Sequence, residues 1–154
     1  MKQTLFLVLL TGLMLAACQD QAPPTPATPT PNAQQLELRA AAAAWQAHGI
    51  DDYTAKIRYR HPGWNTQEFQ VRVENGTPTV EEQSCIPERN CPLHDVDSAR
   101  LTVDNVLTEA LAAAATGQVD HLVYHETYNF PRIVAMEPGA DVDSWEISNF
   151  QPGE

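Results

Sequence analysis

The chain has few basic residues. Only nine of its 154 residues are lysine or arginine, against 20 aspartates and glutamates, and the formal net charge is -11. Binding to nucleic acid, and direct adhesion to anionic lipid, both rely on clustered positive charge. The composition therefore argues against both kinds of partner and favours solubility.

The sequence motifs of common enzyme classes are also missing. There is no Gly-x-Ser-x-Gly elbow and no His-Glu-x-x-His pair, the patterns that place a nucleophile or two zinc ligands. Adjacent acids such as Asp51 and Asp52 lack the glycine and the terminal glutamate of a calcium-binding loop. We therefore expect a non-catalytic protein, with no catalytic residue, metal or cofactor to assign.

The N-terminus has no apolar run long enough to cross a membrane, which takes about 20 residues. Lys2 precedes two short apolar runs, at residues 5–10 and 13–15, and small residues follow them. This is the layout of a secretory signal peptide. We predict a cleaved signal over residues 1–17.

The predicted cleavage site contains a cysteine. The stretch Leu15-Ala16-Ala17-Cys18 resembles the bacterial lipobox, in which the cysteine becomes the first residue and carries acyl chains. Two or more such chains anchor a protein stably, because each buried CH2 contributes about 0.8 kcal/mol. We expect Cys18 to be lipidated, and an ordinary signal peptide with a chance cysteine is the alternative.

A proline-rich and threonine-rich segment separates Cys18 from the rest of the chain. Residues 18–33 include two runs, Pro23-Pro24-Thr25-Pro26 and Thr28-Pro29-Thr30-Pro31, and proline this dense favours an extended spacer. Lipoproteins retained in the inner membrane typically carry aspartate after the acylated cysteine, and here that residue is Gln19. We therefore expect an outer-membrane protein facing the periplasm, tethered to the membrane by lipid.

Residues 34–154 have the length of a single domain. Apolar residues recur at helical spacing over about 35–48 and 103–114, and alternate as in strands over 53–60 and 69–73. Pro78 marks the return strand near residue 79 as an edge strand or an abortive one. Three short strand signals follow at about 119–126, 132–137 and 144–150. The pattern predicts an α+β fold: helix, hairpin, helix and strand meander, with about five antiparallel strands and both helices packed on one face.

The order of several short motifs resembles that of a known family. The motifs are Trp45, Asp52-Tyr53-Thr54, Val71-x-Val73-x-Asn75-Gly76, Thr102-Val103-Asp104, Val123-Tyr124 and Tyr128-Asn129-Phe130-Pro131-Arg132. They are similar to those of a family of bacterial lipoprotein domains of unknown function. Members commonly have an acid where this chain has His125, and glycine where it has Asn129. The family has no assigned activity, so the resemblance implies fold and location only.

Two cysteines remain after Cys18. Cys85 and Cys91 lie in one loop with His94. A disulfide between the two cysteines is expected, because the predicted compartment is oxidising and the count is even. The alternative is a zinc or copper site using the Cys85–His94 loop.

The last candidate is a basic stripe of Lys56, Arg58, Arg60 and Arg72. Alternation places the first three on the strand face opposite the apolar residues, and Arg72 lies on the neighbouring strand. With Trp64 at the hairpin end, the stripe would form a patch for an anionic partner, either an acidic protein segment or a phosphate-bearing glycan. In the alternative, Glu68, Glu74 and acids of other strands neutralise it.

The sequence thus predicts a membrane-anchored, non-catalytic envelope domain that binds a protein or a cell-wall component. A periplasmic module that binds a small ligand or a metal through the Cys85–His94 loop is the alternative.

Overall fold

The computed structural model describes residues 30–153, so the predicted signal peptide, Cys18 and most of the tether lie outside the described residues. The elements, in chain order, are α1 (Ala33–His48), β1 (Tyr53–Arg60), β2 (Thr66–Glu74), β3 (Thr77–Ile86), a short 3-10 turn (Ser98–Arg100), α2 (Val103–Ala115), β4 (Val119–Tyr124), β5 (Pro131–Met136) and β6 (Ser144–Pro152). No helix among them is both long and apolar enough to span a membrane.

The strands form one antiparallel sheet in the order β3-β2-β1-β6-β5-β4. Two three-stranded meanders therefore meet along the central pair of β1 and β6, which are about 90 residues apart in sequence. The α+β class and the closing meander predicted from the sequence are confirmed.

The predicted number of about five strands is wrong, because β3 is a ten-residue strand and not an abortive one. It pairs with β2 along its whole length, with one bulge opposite Gln70 and Val71. Most of its residues are exposed or only partly buried, so the apolar alternation that reveals a strand is weak there. Pro78 is tolerated because β3 is an edge strand.

Helix α1 begins two residues before the predicted start. Asn32 caps it: its side chain accepts a hydrogen bond from the Gln35 amide, and the Gln35 side chain accepts one from the Asn32 amide. The predicted end of α1 at residue 48 and the predicted start of α2 at residue 103 are confirmed. Gly49 follows α1 with a φ of 61°, and the Thr102 hydroxyl caps α2. Residue 33, which the sequence pattern assigned to the tether, is therefore the first residue of α1.

The core lies between the helices and one face of the sheet. α1 contributes Leu38, Ala41 and Trp45, and α2 contributes six buried residues. The buried face of the sheet includes Tyr53, Ala55, Ile57, Tyr59, Phe69, Val71, Val73, Val134, Trp145 and Ile147. The opposite sheet face, here called the open face, has no helix over it in the part of the chain that the structure describes.

The first described residues lie at one end of the domain, where the predicted tether would join it. The Asn32 side chain donates to the Ala114 carbonyl at 2.7 Å, and Gln34 donates to the Val119 carbonyl at 3.1 Å. Val119 pairs with Met136 at the end of β5, so the loop that leads from β5 into β6 lies at this end as well. Arg60 pairs with Ser144 at the start of β6, so the β1–β2 hairpin also lies here. We call this end of the domain the tether end.

Candidate functional site

The basic stripe lies on the open face, as strand alternation predicts. Along β1 the buried residues alternate with Lys56 and Arg58, which are partly buried, and with Arg60, which is exposed. Arg72 is exposed on β2, where it pairs in register with Thr54. The four cations therefore share one surface.

Acids of the neighbouring strands neutralise most of this stripe. Lys56 and Arg58 both reach Glu68 on β2, at 2.8 and 2.9 Å, and Arg58 also reaches Glu146 on β6 at 3.2 Å. Hydrogen bonds from Lys56 and then Arg58 outweigh partial burial and hold the pKa of Glu68 below its usual value. Hydrogen bonds to Glu68 and Glu146 raise the pKa of Arg58.

Arg72 is neutralised in the same way. Its Nε lies 2.6 Å from the carboxylate of Glu81, a residue at the bulge of β3, and this hydrogen bond raises the pKa of Arg72. Only Arg60 of the stripe forms no ion pair within residues 30–153. The open face is therefore a surface of mixed charge on which, among the described residues, Arg60 at the tether end is the one arginine or lysine of the stripe without an ion pair.

Trp64 does not join the stripe. Its ring stacks on His94 at 3.9 Å with an interplanar angle of 9°, and meets Tyr59, a core residue of the helix-covered face, at 6.3 Å. Trp64 is half-buried, since packing its ring against Tyr59 and His94 removes apolar surface from water. The predicted patch that combines Trp64 with the basic residues is not formed.

Cys85 and Cys91 are brought together as predicted. Their sulfurs lie at disulfide-bonding distance, and their Cα atoms are 6.1 Å apart, within the normal range for a disulfide. The Cys85 side chain is buried. The pair closes a short loop at the end of β3, next to the β1–β2 hairpin.

A buried glutamine holds this loop, and sequence reasoning missed it. Gln67 is fully buried; its amide group donates to the Pro92 carbonyl at 3.3 Å and its oxygen accepts from the His94 amide at 3.2 Å. Gln83 donates to the Gln67 oxygen and to the His94 carbonyl. These bonds satisfy the buried Gln67 amide and hold the backbone of the loop against β2 and β3.

The alternative metal site is not assembled. No group of three or more histidine, cysteine, aspartate or glutamate side chains is placed to hold a metal ion within residues 30–153. The His94 ring stacks on Trp64, and the two cysteine sulfurs contact each other. The set Cys85, Cys91 and His94 therefore does not form a ligand cluster.

A second cluster that sequence reasoning missed surrounds Asp143. His61 Nδ1 and Arg100 Nη2 each lie 2.6 Å from its carboxylate, and Arg100 also donates to the Tyr59 hydroxyl at 2.9 Å. Burial works to raise the pKa of Asp143, but hydrogen bonds from His61 and Arg100 outweigh it and hold the pKa low. Burial and the nearby Asp143 raise the pKa of Tyr59 to about 12. The cluster ties together the first hairpin, the segment before α2 and the loop before β6.

His125 and Asn129 replace residues common in the resembled family, and the turn that they form is intact. Asn129 takes the left-handed conformation, with a φ of 60°. The His125 Nδ1 accepts hydrogen bonds from the amides of Thr127 and Tyr128, at 3.2 and 3.4 Å. Burial lowers the pKa of His125, which favours the neutral imidazole that can accept these bonds. The side chain thus stabilises the turn.

Comparison with known proteins gives a family but no activity. No curated protein and no solved structure matches the chain. A family model described as a family of unknown function (DUF6174) matches residues 37–152, from the second turn of α1 to the last residue of β6. This span covers about three quarters of the chain, and the chain therefore belongs to that family of unknown function.

Proposed function

We propose that the chain is a bacterial lipoprotein: a non-catalytic domain, held in the cell envelope by acyl chains on Cys18, that binds a protein or a cell-wall component. We place it in the outer membrane, facing the periplasm, because Gln19 and not aspartate follows the cysteine.

The short length of chain between Cys18 and the folded domain carries this proposal. The lipobox-like stretch ends at Cys18, and the first cap of the domain is Asn32, so only residues 19–31 separate the predicted anchor from folded structure. At about 3.1 Å per residue, an extended proline-rich spacer of this length spans roughly 40 Å. A spacer of this kind holds a domain off a bilayer while leaving its surfaces accessible.

The open face of the sheet supports a binding role. One face of this sheet is covered by both helices, while the other presents charged side chains of β1, β2 and β6. Charged groups at protein surfaces contribute to partner selection and association rate. We propose the tether-end half of the open face as the contact surface.

Membrane flotation tests the anchor. The unmutated chain is expected to float with membranes and to band with the outer membrane on a density gradient. Cys18→Ala should yield unprocessed or soluble protein, because the acyl acceptor is lost. Cys91→Ala is the matched control: it removes another cysteine and should leave flotation unchanged. Recovery of the unmutated chain as a soluble periplasmic species would contradict the proposal.

A further inference from the structure

Arg60 differs from the other cations of the stripe because the residues beside it on the adjacent strands are not acidic. Arg58 stands opposite Glu146 on β6 and Glu68 on β2, and it bonds to both. Two residues further along β1, Arg60 stands opposite Ser144. The sheet therefore places two carboxylates beside Arg58 but only hydroxyl side chains beside Arg60, which is exposed.

The residues around Arg60 form a row across the tether end of the open face. In strand order from β3 to β5, the row consists of Ile86, Thr66, Arg60, Ser144 and Ala135. The members of this row, with Ile133, line a groove of about 420 Å³. Ile86 is 43% exposed, so an aliphatic surface flanks the arginine.

A second groove continues past Arg60 over the end of the sheet. It has a volume of about 330 Å³, shares Arg60, Ala135 and Ser144 with the first, and adds Pro62 and Met136 to the lining. Apolar contacts are therefore available on both sides of the guanidinium. An extended segment lying across the strands would place its central residue over Arg60.

From this arrangement we infer that Arg60 docks the carboxylate of an acidic peptide segment of a partner protein, with aliphatic side chains of that segment packing in the two grooves. The guanidinium presents a planar fork of donors that matches a carboxylate bidentately. The hydroxyls of Thr66 and Ser144 lie on either side in the row and are further donors. The inference rests on the proposed function and names the contact within it.

The charges around the row favour a carboxylate over a phosphate. Glu146 lines the first groove and Glu137 the second, and Arg58 is already paired. Among the described residues that line the two grooves, Arg60 is the one cation without an ion pair. One such cation matches the single charge of a carboxylate, whereas a phosphate dianion would meet repulsion from these acids that Arg60 alone does not offset. Aliphatic lining also gives no advantage to a phosphorylated glycan.

Titration with a defined peptide pair tests the assignment. The probe is acetyl-Val-Glu-Val-amide, and its twin replaces the glutamate by glutamine. The full chain, solubilised in detergent, is labelled at isoleucine methyl groups, of which the sequence has five. The glutamate peptide should shift the signals of Ile86 and Ile133 and leave that of Ile50, which is remote from the row, in place. Raising the salt concentration should weaken the effect.

Substitution of the arginine completes the test. Arg60→Gln should weaken binding of the glutamate peptide by about tenfold or more, since a charge-assisted bond to the carboxylate is lost. The control is Arg132→Gln, which removes an exposed arginine outside the row and should bind as the unmutated chain does.

Three results would overturn the inference: no shift at millimolar peptide, equal shifts from the glutamate peptide and its glutamine twin, or unchanged binding by Arg60→Gln. Larger shifts of Ile86 and Ile133 with inorganic phosphate than with the glutamate peptide would also overturn it, in favour of a phosphate site. None of these results bears on the anchor, because flotation does not depend on Arg60. Failure of the inference and failure of the proposed function are thus distinguishable.

Discussion

Arg58 on β1 donates from Nε to the carboxylate of Glu68 on β2 at 2.9 Å. Lys56 reaches the other oxygen of the same carboxylate, so one acid serves two cations of the stripe. The Glu68 side chain is only 14% exposed, whereas the Arg58 side chain is 43% exposed. Removing the cations would leave a partly buried carboxylate unpaired, so a change at Lys56 or Arg58 perturbs stability as well as surface charge.

The first prediction concerns this shared carboxylate. Glu68→Gln should lower the free energy of unfolding at neutral pH by about 1 kcal/mol, since two ion pairs are lost but their cations are partly solvated. Glu74→Gln is the control: this exposed acid of the same strand forms no ion pair within residues 30–153. Urea denaturation at several pH values measures both variants.

The pH dependence follows from the lowered pKa of Glu68. A carboxyl whose folded pKa lies below its unfolded value stabilises the fold above the unfolded value, near 4.5, and loses that contribution as pH falls through the folded value. The difference between the unmutated chain and Glu68→Gln should therefore shrink on acidification below about pH 4.5. A difference that stays constant down to pH 2 would show that the ion pairs are not its cause.

The second prediction concerns Gln67. Gln67→Leu replaces the amide side chain by an apolar one of similar volume and removes the partners of the Pro92 carbonyl and the His94 amide. Because these partly buried contacts lose hydrogen bonds that contribute about 0.5–1.5 kcal/mol each, we expect a loss of about 1–3 kcal/mol in the free energy of unfolding. Gln70→Leu, on the open face of the same strand, should cost much less. Equal losses in thermal melts of the two variants would contradict the role given to Gln67.

The third prediction concerns Cys85 and Cys91. In protein isolated without reductant, thiol labelling should modify neither cysteine. Reduction should lower stability by at most about 2 to 2.5 kcal/mol, since the closed loop is short, and the domain should stay folded, because Gln67 still holds the loop. Labelling of both thiols before reduction would contradict the disulfide. Unfolding on reduction would show that the loop has a larger structural role.

Elements with a local signal could be predicted from the sequence. Helix α2 was predicted correctly, because its apolar residues repeat at helical spacing and Thr102 caps it. The sequence also predicted which side chains of β1 lie on each face of the sheet, because strand alternation determines this. β3 was missed as a full strand, because an edge strand with exposed residues on both faces shows little alternation.

The site was less predictable, because its contacts join distant parts of the chain. Glu68 was foreseen as a partner of the stripe, since it lies across the first hairpin. Acids of other strands were also expected, but Glu146 could not be named, because it is 88 residues from Arg58 and only the pairing of β6 with β1 brings it there. The same is true of Asp143 with His61 and Arg100, which are 82 and 43 residues away. The direction of the Trp64 ring likewise depends on His94, a residue of another loop.

The mass of the mature N-terminus tests the central claim most directly. The chain purified from membranes in detergent is digested, and the N-terminal peptide is measured by mass spectrometry. If the chain is anchored by lipid, the N-terminal peptide should begin at Cys18 and carry the added mass of at least two acyl chains. A peptide that begins at any other residue, or one that begins at Cys18 without acyl mass, would contradict it.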